Sequence, residues 1–172
     1  DRPNTTMAPF PMCPDCAGEY RDPLDRRFHA QPVACPVCGP QVWLERSGEP
    51  EPLSRGDQAI RQARAWLREG KIVAVKGLGG FHLACDATNS QAVETLRQRK
   101  LRVGKPFALM LPDLAAVERH CHLTQDEAVI LQSRQRPVVI LPRRPDSNIA
   151  EMVTPGQHTL GVMLPYTPLH YL

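Results

Sequence analysis

The sequence has few aromatic residues, no long hydrophobic run and no strong excess of charge of one sign. Aromatic residues make up 5% of the 172 residues, which disfavours a nucleic-acid surface built on base stacking. The 21 basic and 18 acidic residues give a formal net charge of +3, too little to indicate a nucleic-acid protein. No apolar run reaches the length of a membrane span, and no secretory leader pattern is found. We therefore expect a cytoplasmic protein without membrane attachment.

Cysteine and proline are plentiful near the start of the chain. Prolines recur through residues 1–40 with little apolar periodicity, so this stretch cannot fold on a hydrophobic core of its own. Two Cys-x-x-Cys pairs lie in it, eighteen residues apart, and their cysteines are Cys13, Cys16, Cys35 and Cys38. This spacing is typical of zinc ribbons. We predict that the four thiolates bind a structural Zn²⁺ and leave no open position for a catalytic water.

Two other interpretations of these cysteines remain open. A Cys-x-x-Cys pair can be redox-active, although such enzymes use one pair in a βα context. His29, between the two pairs, could replace one cysteine as a ligand. Cys85 and Cys121 have no partners at ligand spacing, and we expect them to be buried thiols.

The rest of the chain predicts an α/β fold. Residues 41–56 are polar and rich in turn formers, which indicates a linker between the module of residues 1–40 and a domain of residues 57–172. From Asp57 an apolar face with helical spacing predicts a helix that Gly70 ends as a left-handed cap. Further strands are predicted at 72–75, 81–85, 107–111 and 138–141, and further helices from Ser90, at 114–121 and from a capping box at Thr124.

Two details of this prediction concern the strands. The apolar runs 72–75 and 138–141 are typical of strands buried on both faces. Residues 142–160 are predicted to be irregular, and the order of strands in the sheet is not determined by the sequence. Interleaved helices and strands favour a layered α/β structure.

A glycine-rich turn joins the first two predicted strands. It runs from Lys76 to His82 and contains Gly77, Gly79 and Gly80, whose backbone amides can approach a ligand without interference from a Cβ atom. A phosphate or carboxyl group could bind there. The turn matches neither the P-loop nor the Rossmann fingerprint.

A basic run follows the helix that begins at Ser90. It places five positive charges in nine residues with no acid among them, at Arg97, Arg99, Lys100, Arg102 and Lys105. Such a run is usually a solvated face. Because it leads into a predicted strand, part of it must lie at the rim of a sheet, where an anion would relieve the repulsion between the charges. The run therefore favours a polyphosphate ligand. A nucleic acid would satisfy the same charges, but the neighbourhood lacks interleaved aromatic residues for base stacking.

The order of these motifs resembles the hydrogenase maturation carbamoyltransferase family HypF. The two cysteine pairs, with Glu19 to Pro32 between them, resemble the second of two zinc-finger units, and Asp1-Arg2-Pro3 resembles the end of the first. The remainder resembles a YrdC-like domain. Its matching segments are Val73 to Ala87, Arg97 to Pro106 and Arg136 to Leu141.

This resemblance implies a fold, a reaction and a partner. The fold is a small four-cysteine, zinc-ribbon-like module followed by a twisted, open YrdC-like α/β sheet, cut at both ends. In the reaction, carbamate from carbamoyl phosphate attacks the α-phosphorus of ATP, which enters with Mg²⁺, to give carbamoyl-adenylate and pyrophosphate. The carbamoyl group then passes to a C-terminal cysteine of HypE, on the route to the cyanide ligands of nickel-iron hydrogenase.

The resemblance also implies site residues. Lys100 and Arg102 match the catalytic, nucleotide-binding Lys-x-Arg pair, with Lys105 beside it. Substrate-binding positions of related threonylcarbamoyl-adenylate synthases match Lys76, Gly79, Gly80 and His82. The family's Ser-x-Asn motif and transfer domain are expected after Leu172 and an acylphosphatase-like domain before Asp1, so we expect this stretch alone not to complete the reaction.

Two rival functions remain. This sequence has Lys76-Gly77-Leu78-Gly79 where the threonylcarbamoyl-adenylate synthases have Pro-Thr-Glu-Thr. The change removes side chains that would recognise threonine and favours the smaller carbamate, although a synthase of that type stays open. The other rival is a zinc-containing RNA-binding module that uses the basic run, whose binding would weaken steeply with salt.

Overall fold

The chain folds into two compact units of α/β structure. The computed structural model describes residues 2–172, so Asp1, part of the segment compared with a first zinc unit, lies outside the described residues. One unit ends at Ile60 and the other comprises Arg61–Leu172. The α/β class predicted from the sequence is confirmed. Within residues 2–172, none of the helices is both long and apolar enough to cross a bilayer.

The first unit contains more regular structure than the sequence indicated. Its elements are a 3-10 helix at Arg2–Asn4, helix α1 at Pro14–Arg21, and strands β1 at Trp43–Leu44 and β2 at Ser54–Arg55. Helix α1 was not predicted, although Pro14 suits its first turn because a helix leaves that N–H without a partner. Strands β1 and β2 pair antiparallel, so residues 41–56 contain a small ladder and are not turns alone.

Helix α2, at Gly56–Arg68, leads from the first unit into the second and confirms the prediction for this segment. Gly70 follows it with φ +76°, the left-handed conformation expected of a cap. The N–H of Gly70 donates to the carbonyl of Leu67 over 3.0 Å, and that of Lys71 to Trp66 over 2.9 Å. These bonds satisfy carbonyls that the helix end leaves without partners.

The second unit holds two separate sheets. Its strands are β3 at Val73–Lys76, β4 at Phe81–Ala84, β5 at Ala108–Met110, β6 at Val139–Pro142 and β7 at Thr159–Met163. Strands β3 and β4 form an antiparallel hairpin. In the other sheet, β7 lies between β5 and β6, parallel to the first and antiparallel to the second.

Three further helices pack against the three-stranded sheet. They are α3 at Ser90–Arg99, α4 at Leu114–His120 and α5 at Gln125–Gln132. Each contributes to one buried cluster, through Val93, Val117 and Leu131 respectively. The predicted capping box of α5 is confirmed, since Thr124 and Glu127 bond each other's backbone N–H groups. The core of this unit therefore lies between the sheet and the three helices.

Two predictions about the strands are wrong. The segments 72–75 and 138–141 are not buried on both faces, because Ala74 is exposed and Ile140 is 70% exposed. In each strand, successive side chains instead point in turn to a face covered by protein and to a face exposed to solvent. Residues 142–160 are not irregular throughout, since a 3-10 helix forms at Glu151–Val153 and β7 begins at Thr159.

Candidate metal centre and nucleotide site

The four cysteines of the two Cys-x-x-Cys pairs converge on one point. Their sulfur atoms all lie within 4.8 Å of one another. The Sγ of Cys35 lies 3.6 Å from that of Cys13 and 3.8 Å from that of Cys38. Four Zn–S bonds of about 2.3 Å in a tetrahedron would separate the sulfurs by about 3.8 Å. The spacing therefore fits a tetrahedral metal ion and is too long for a disulfide bond.

Local backbone structure holds each pair of sulfurs. Cys13 caps the N-terminus of α1, and Cys16 lies in its first turn. In the second pair, the N–H of Val37 donates to the Sγ of Cys35 over 3.4 Å. Backbone hydrogen bonds from Cys13 and Cys35 lower the pKa of Cys38 to about 6, and those of Cys38 and Val37 lower the pKa of Cys35. The second pair therefore favours the thiolate form that binds metals, whereas burial raises the pKa of Cys16 in the first pair.

The remaining sulfur and imidazole groups lie apart from this cluster. The ring of His29 stacks on Tyr20 with centroids 5.1 Å apart and planes nearly parallel, so it packs against an aromatic ring and does not join the four sulfurs. Cys121 is buried, as predicted, and burial raises its pKa to about 11. Cys85 is only half-buried, and burial raises its pKa too.

Arg2 contacts two irregular segments of the first unit, one at Phe10 and the other at residues 31–33. Its guanidinium is buried and donates to the carbonyls of Gln31, Val33 and Phe10 over 2.6, 2.7 and 2.9 Å. The second cysteine pair follows directly after Val33. The buried arginine therefore fixes the approach of the chain to the sulfur cluster.

The glycine turn closes the β3–β4 hairpin, with the N–H of Gly77 donating to the carbonyl of Gly80 over 2.7 Å. A Cβ on residue 77 would lie 2.5 Å from the Nε2 of His82, so only glycine lets that ring lie against the turn. A Cβ on Gly79 or Gly80 would meet no atom within 4 Å, so the space above these residues is open. The Nζ of Lys76 lies 5.2 Å from the centroid of the Phe81 ring, at the same end of the hairpin.

Sequence reasoning missed two residues beside this turn. The ring of His170 lies 6.3 Å from that of His82, centroid to centroid, in a perpendicular arrangement. Tyr166 packs edge-on against His170 with centroids 4.3 Å apart. Both belong to the segment Leu164 to Leu172, which is distant in sequence from the turn, so no local pattern indicates that they approach it.

The basic run divides into buried and exposed members. Arg97 is 4% exposed and donates to the carbonyls of Met152, Val103 and Lys105 over 3.0, 2.6 and 3.3 Å. Arg102 donates to the carbonyls of Lys105 and Pro106 over 3.0 and 2.6 Å.

The Phe107 ring has both guanidiniums near it, with Arg97 5.1 Å and Arg102 5.0 Å from its centroid. These two arginines hold the loop after α3 in place. As observed, the guanidinium of Arg102 contacts protein carbonyls, and its catalytic role stays a prediction.

Three cations of the run are exposed to solvent, and they are Arg99, Lys100 and Lys105. Lys100 is the C-cap of α3, with its N–H bonded to the carbonyl of Leu96 over 3.0 Å, and its side chain is exposed. Lys105 is exposed at the far end of the loop. Rigid backbone with exposed ammonium groups can stabilise charge that develops on phosphate oxygens.

Comparison with known proteins defines the family. The family model Sua5_yciO_yrdC, described as Telomere recombination, matches residues 65–172, and the model of the HypF finger matches residues 12–45. The chain therefore belongs to the Sua5/YciO/YrdC family.

Within that family its relatives include the HypF carbamoyltransferases, as the sequence resemblance indicated. The carbamoyltransferase HypF of Rhodobacter capsulatus is 55% identical over 100% of this chain, which covers 22% of that protein. The chain spans about a fifth of the length of this relative.

Solved structures of HypF proteins also resemble this chain. The chain matches HypF of T. kodakarensis with a TM-score of 0.85 at 47% identity, and a full-length HypF in a phosphate- and nucleotide-bound form with 0.79 at 46%; each match covers 99% of this chain and 22% of the other. A more distant relative, the threonylcarbamoyl-AMP synthase of Bacillus subtilis, is 31% identical over 68% of this chain and 35% of its own length. The predicted order of a four-cysteine module followed by a YrdC-like α/β domain is confirmed.

Proposed function

We propose that the chain is the zinc-binding and adenylate-forming part of a carbamoyltransferase. The observation that carries this proposal is the 55% identity to a carbamoyltransferase HypF along the entire chain. In the proposed reaction an oxygen of carbamate attacks the α-phosphorus of ATP. The bond between that phosphorus and the bridging oxygen of pyrophosphate breaks, and carbamoyl-adenylate forms. One solved HypF, described as nucleotide-bound, supports a nucleotide as ligand.

The residues divide the work as follows in this proposal. Lys100 and Lys105 contact phosphate oxygens of ATP, with Mg²⁺ as the accompanying cation, and stabilise the charge that grows as the carbamate attacks. Arg102 shares this role or holds the loop that carries the lysines. Lys76, Gly79, Gly80 and His82 hold the carbamate at the open end of the β3–β4 hairpin.

The acceptor is proposed to be HypE, for the cyanide ligands of nickel-iron hydrogenase. The thiol of its C-terminal cysteine attacks the carbonyl carbon of carbamoyl-adenylate and loses its proton. AMP leaves, and a thiocarbamate remains on the partner. A cytoplasmic setting, where ATP is available, is part of the same prediction.

The cysteine cluster is proposed to bind Zn²⁺ as a structural ion. Four sulfurs at tetrahedral spacing match the donor set of structural zinc sites, and all four positions are supplied by the protein. Such an ion orders the first unit and takes no part in the reaction. Mass spectrometry under native conditions is expected to find one zinc per chain.

The decisive experiment uses the complete carbamoyltransferase that we propose contains this chain. Lys100→Ala is expected to lower carbamoyl-phosphate-dependent pyrophosphate release by about 100-fold or more, because a fixed cation is lost beside the α-phosphate. Zinc content should not change. Lys71→Ala is the matched control, since Lys71 is an exposed lysine paired with Glu69 away from the basic run. Unchanged turnover in Lys100→Ala and Arg102→Ala would contradict the assignment.

Threonylcarbamoyl-adenylate synthesis is the second candidate, favoured by the 31% identity to the Bacillus subtilis synthase. The same assay separates the two, because pyrophosphate release would then require threonine and bicarbonate and would be independent of carbamoyl phosphate. The turn Gly77–Gly80 offers backbone and one exposed leucine, Leu78, and no polar side chain to recognise threonine. Carbamate is therefore the proposed substrate.

A further inference from the structure

The glycine turn has a second histidine beside it. His170 lies in a 3-10 helix, Pro168–Tyr171, whose first position is a proline. Its ring is perpendicular to that of His82, and the two centroids are 6.3 Å apart. This separation exceeds direct contact, yet it is short enough for one ligand oxygen to bond a nitrogen of each ring.

A backbone hydrogen bond to His170 indicates which nitrogen of its ring carries the proton. The N–H of Tyr166 donates to the Nδ1 of His170 over 3.4 Å. Because Nδ1 then acts as an acceptor, the proton of the neutral ring resides on Nε2. His170 is therefore a hydrogen-bond donor through Nε2.

The surroundings keep this donor neutral and in place. Burial and the neighbouring His82 lower the pKa of His170. Lys76 is a cation at the same end of the hairpin, with its Nζ 5.2 Å from the centroid of the Phe81 ring. Tyr166 packs edge-on against the ring at 4.3 Å, and the N–H of His170 donates to the carbonyl of Thr167 over 3.0 Å. A neutral donor adds a hydrogen bond to an anionic ligand without adding to the repulsion between cations.

We propose that His170 is a further substrate-positioning residue, which donates from Nε2 to an oxygen of the carbamate held at the glycine turn. This inference rests on the proposed function for the identity of the ligand. It assigns His170 the task of orienting the carbamate so that one oxygen stays free to attack phosphorus. In this proposal Lys76 attracts the carbamate by its positive charge, and His170 orients the carbamate through a hydrogen bond. The two roles can therefore be distinguished by experiment.

Substitutions that preserve one nitrogen at a time test the kinetic role. The amide nitrogen of glutamine reaches the place of Nε2, whereas that of asparagine reaches the place of Nδ1. In the complete carbamoyltransferase, His170→Asn and His170→Ala are expected to raise the KM for carbamoyl phosphate by about 10- to 100-fold, as for the loss of one hydrogen bond to a charged group. The KM for ATP should stay unchanged. His170→Gln should stay within about threefold of the wild type, and His122→Gln, at an exposed histidine, is the matched control.

A spectroscopic measurement tests the same inference without turnover. The probe is bicarbonate, which has the shape and charge of carbamate, with chloride as the control anion. In the ¹⁵N-histidine spectrum, Nδ1 of His170 should be unprotonated and Nε2 protonated, and bicarbonate should shift the signals of both His82 and His170 saturably. His170→Gln keeps the protein folded if His170→Ala does not.

The outcomes separate the two proposals. Wild-type protein without carbamoyl-phosphate-dependent pyrophosphate release would contradict the proposed function, and the bicarbonate titration would still decide the role of His170. An active enzyme in which His170→Asn leaves the KM for carbamoyl phosphate unchanged would overturn the role of His170 alone. A titration that moves neither histidine would overturn it as well.

Discussion

The two units of the chain keep their order by different means. The second unit encloses a contiguous cluster of buried side chains drawn from α3, α4, α5 and the three-stranded sheet. In the first unit the buried apolar residues are few, and they are Cys16, Val33 and Ala59. One of these is itself a member of the sulfur cluster. We therefore expect apolar burial to suffice for the second unit and the first unit to depend on the proposed metal site.

The two units nevertheless contain the same kind of stabilising contact, each within itself. In each, a buried arginine donates to three backbone carbonyls that lie outside the α-helices and strands, Arg2 in the first unit and Arg97 in the second. Carbonyls outside helices and sheets need donors when they are buried. The planar guanidinium offers five N–H groups at fixed angles, so one side chain serves several loops.

Removal of the proposed zinc ion should produce the largest difference between the two units. Chelation of zinc is expected to abolish protection from hydrogen exchange in residues 2–40, because metal binding contributes on the order of 10 kcal/mol to the order of such small modules. Protection in the core of the unit Arg61–Leu172 should persist. Hydrogen-exchange mass spectrometry before and after chelation measures both regions at once. Equal loss of protection in both regions would show that the second unit depends on the metal as much as the first.

Substitution and acid should reproduce this effect. Cys16→Ser is expected to release zinc, and Cys85→Ser, at a half-buried cysteine outside the cluster, should retain it.

The pKa of Cys38 is lowered to about 6 in the folded unit, below that of a thiol in an unfolded chain. Its stabilising contribution is therefore present above the unfolded value and is lost as the pH falls through about 6. Zinc release should follow the same direction, since protons compete for the thiolates.

The second effect concerns the unit that depends on its core. Leu160 in the central strand β7 is completely buried, and Leu160→Ala is expected to cost about 2–5 kcal/mol of unfolding free energy through lost apolar burial and the cavity left behind. Denaturant unfolding of the second unit measures the loss. Zinc content should stay at one ion per chain. Val129→Ala, at a residue 60% exposed on α5, is the control and should change the stability little.

The sequence predicted well those parts of the fold that local chemistry determines. The cap at Gly70 and the capping box at Thr124 depend on residues adjacent in the chain, so both were predicted and observed. The convergence of the four cysteines was predicted as well, because two Cys-x-x-Cys pairs at this spacing are typical of zinc ribbons.

What the sequence did not predict depends on contacts between distant segments. Strand β7 was missed because Gly161, a residue with low strand propensity, lies at its centre, and only pairing with β5 and β6 makes it a central strand. Ile140 is apolar yet exposed, since its strand is covered on one face only. Within the site, the approach of His170 to His82 joins segments 88 positions apart, and no local pattern indicates it.

The smallest loss of stability is expected from a substitution of Arg97, whose buried guanidinium makes the same kind of contact as that of Arg2. Arg97→Met leaves three backbone carbonyls without the guanidinium as donor and is expected to cost about 1–3 kcal/mol, measured by denaturant unfolding. Hydrogen exchange should increase selectively in residues 103–107. Arg99→Met removes an exposed charge two residues further along α3 and should leave both measurements unchanged. If Arg97→Met behaved like Arg99→Met, burial of the guanidinium would not stabilise the loop, and the contact shared by the two units would have no energetic consequence in the second.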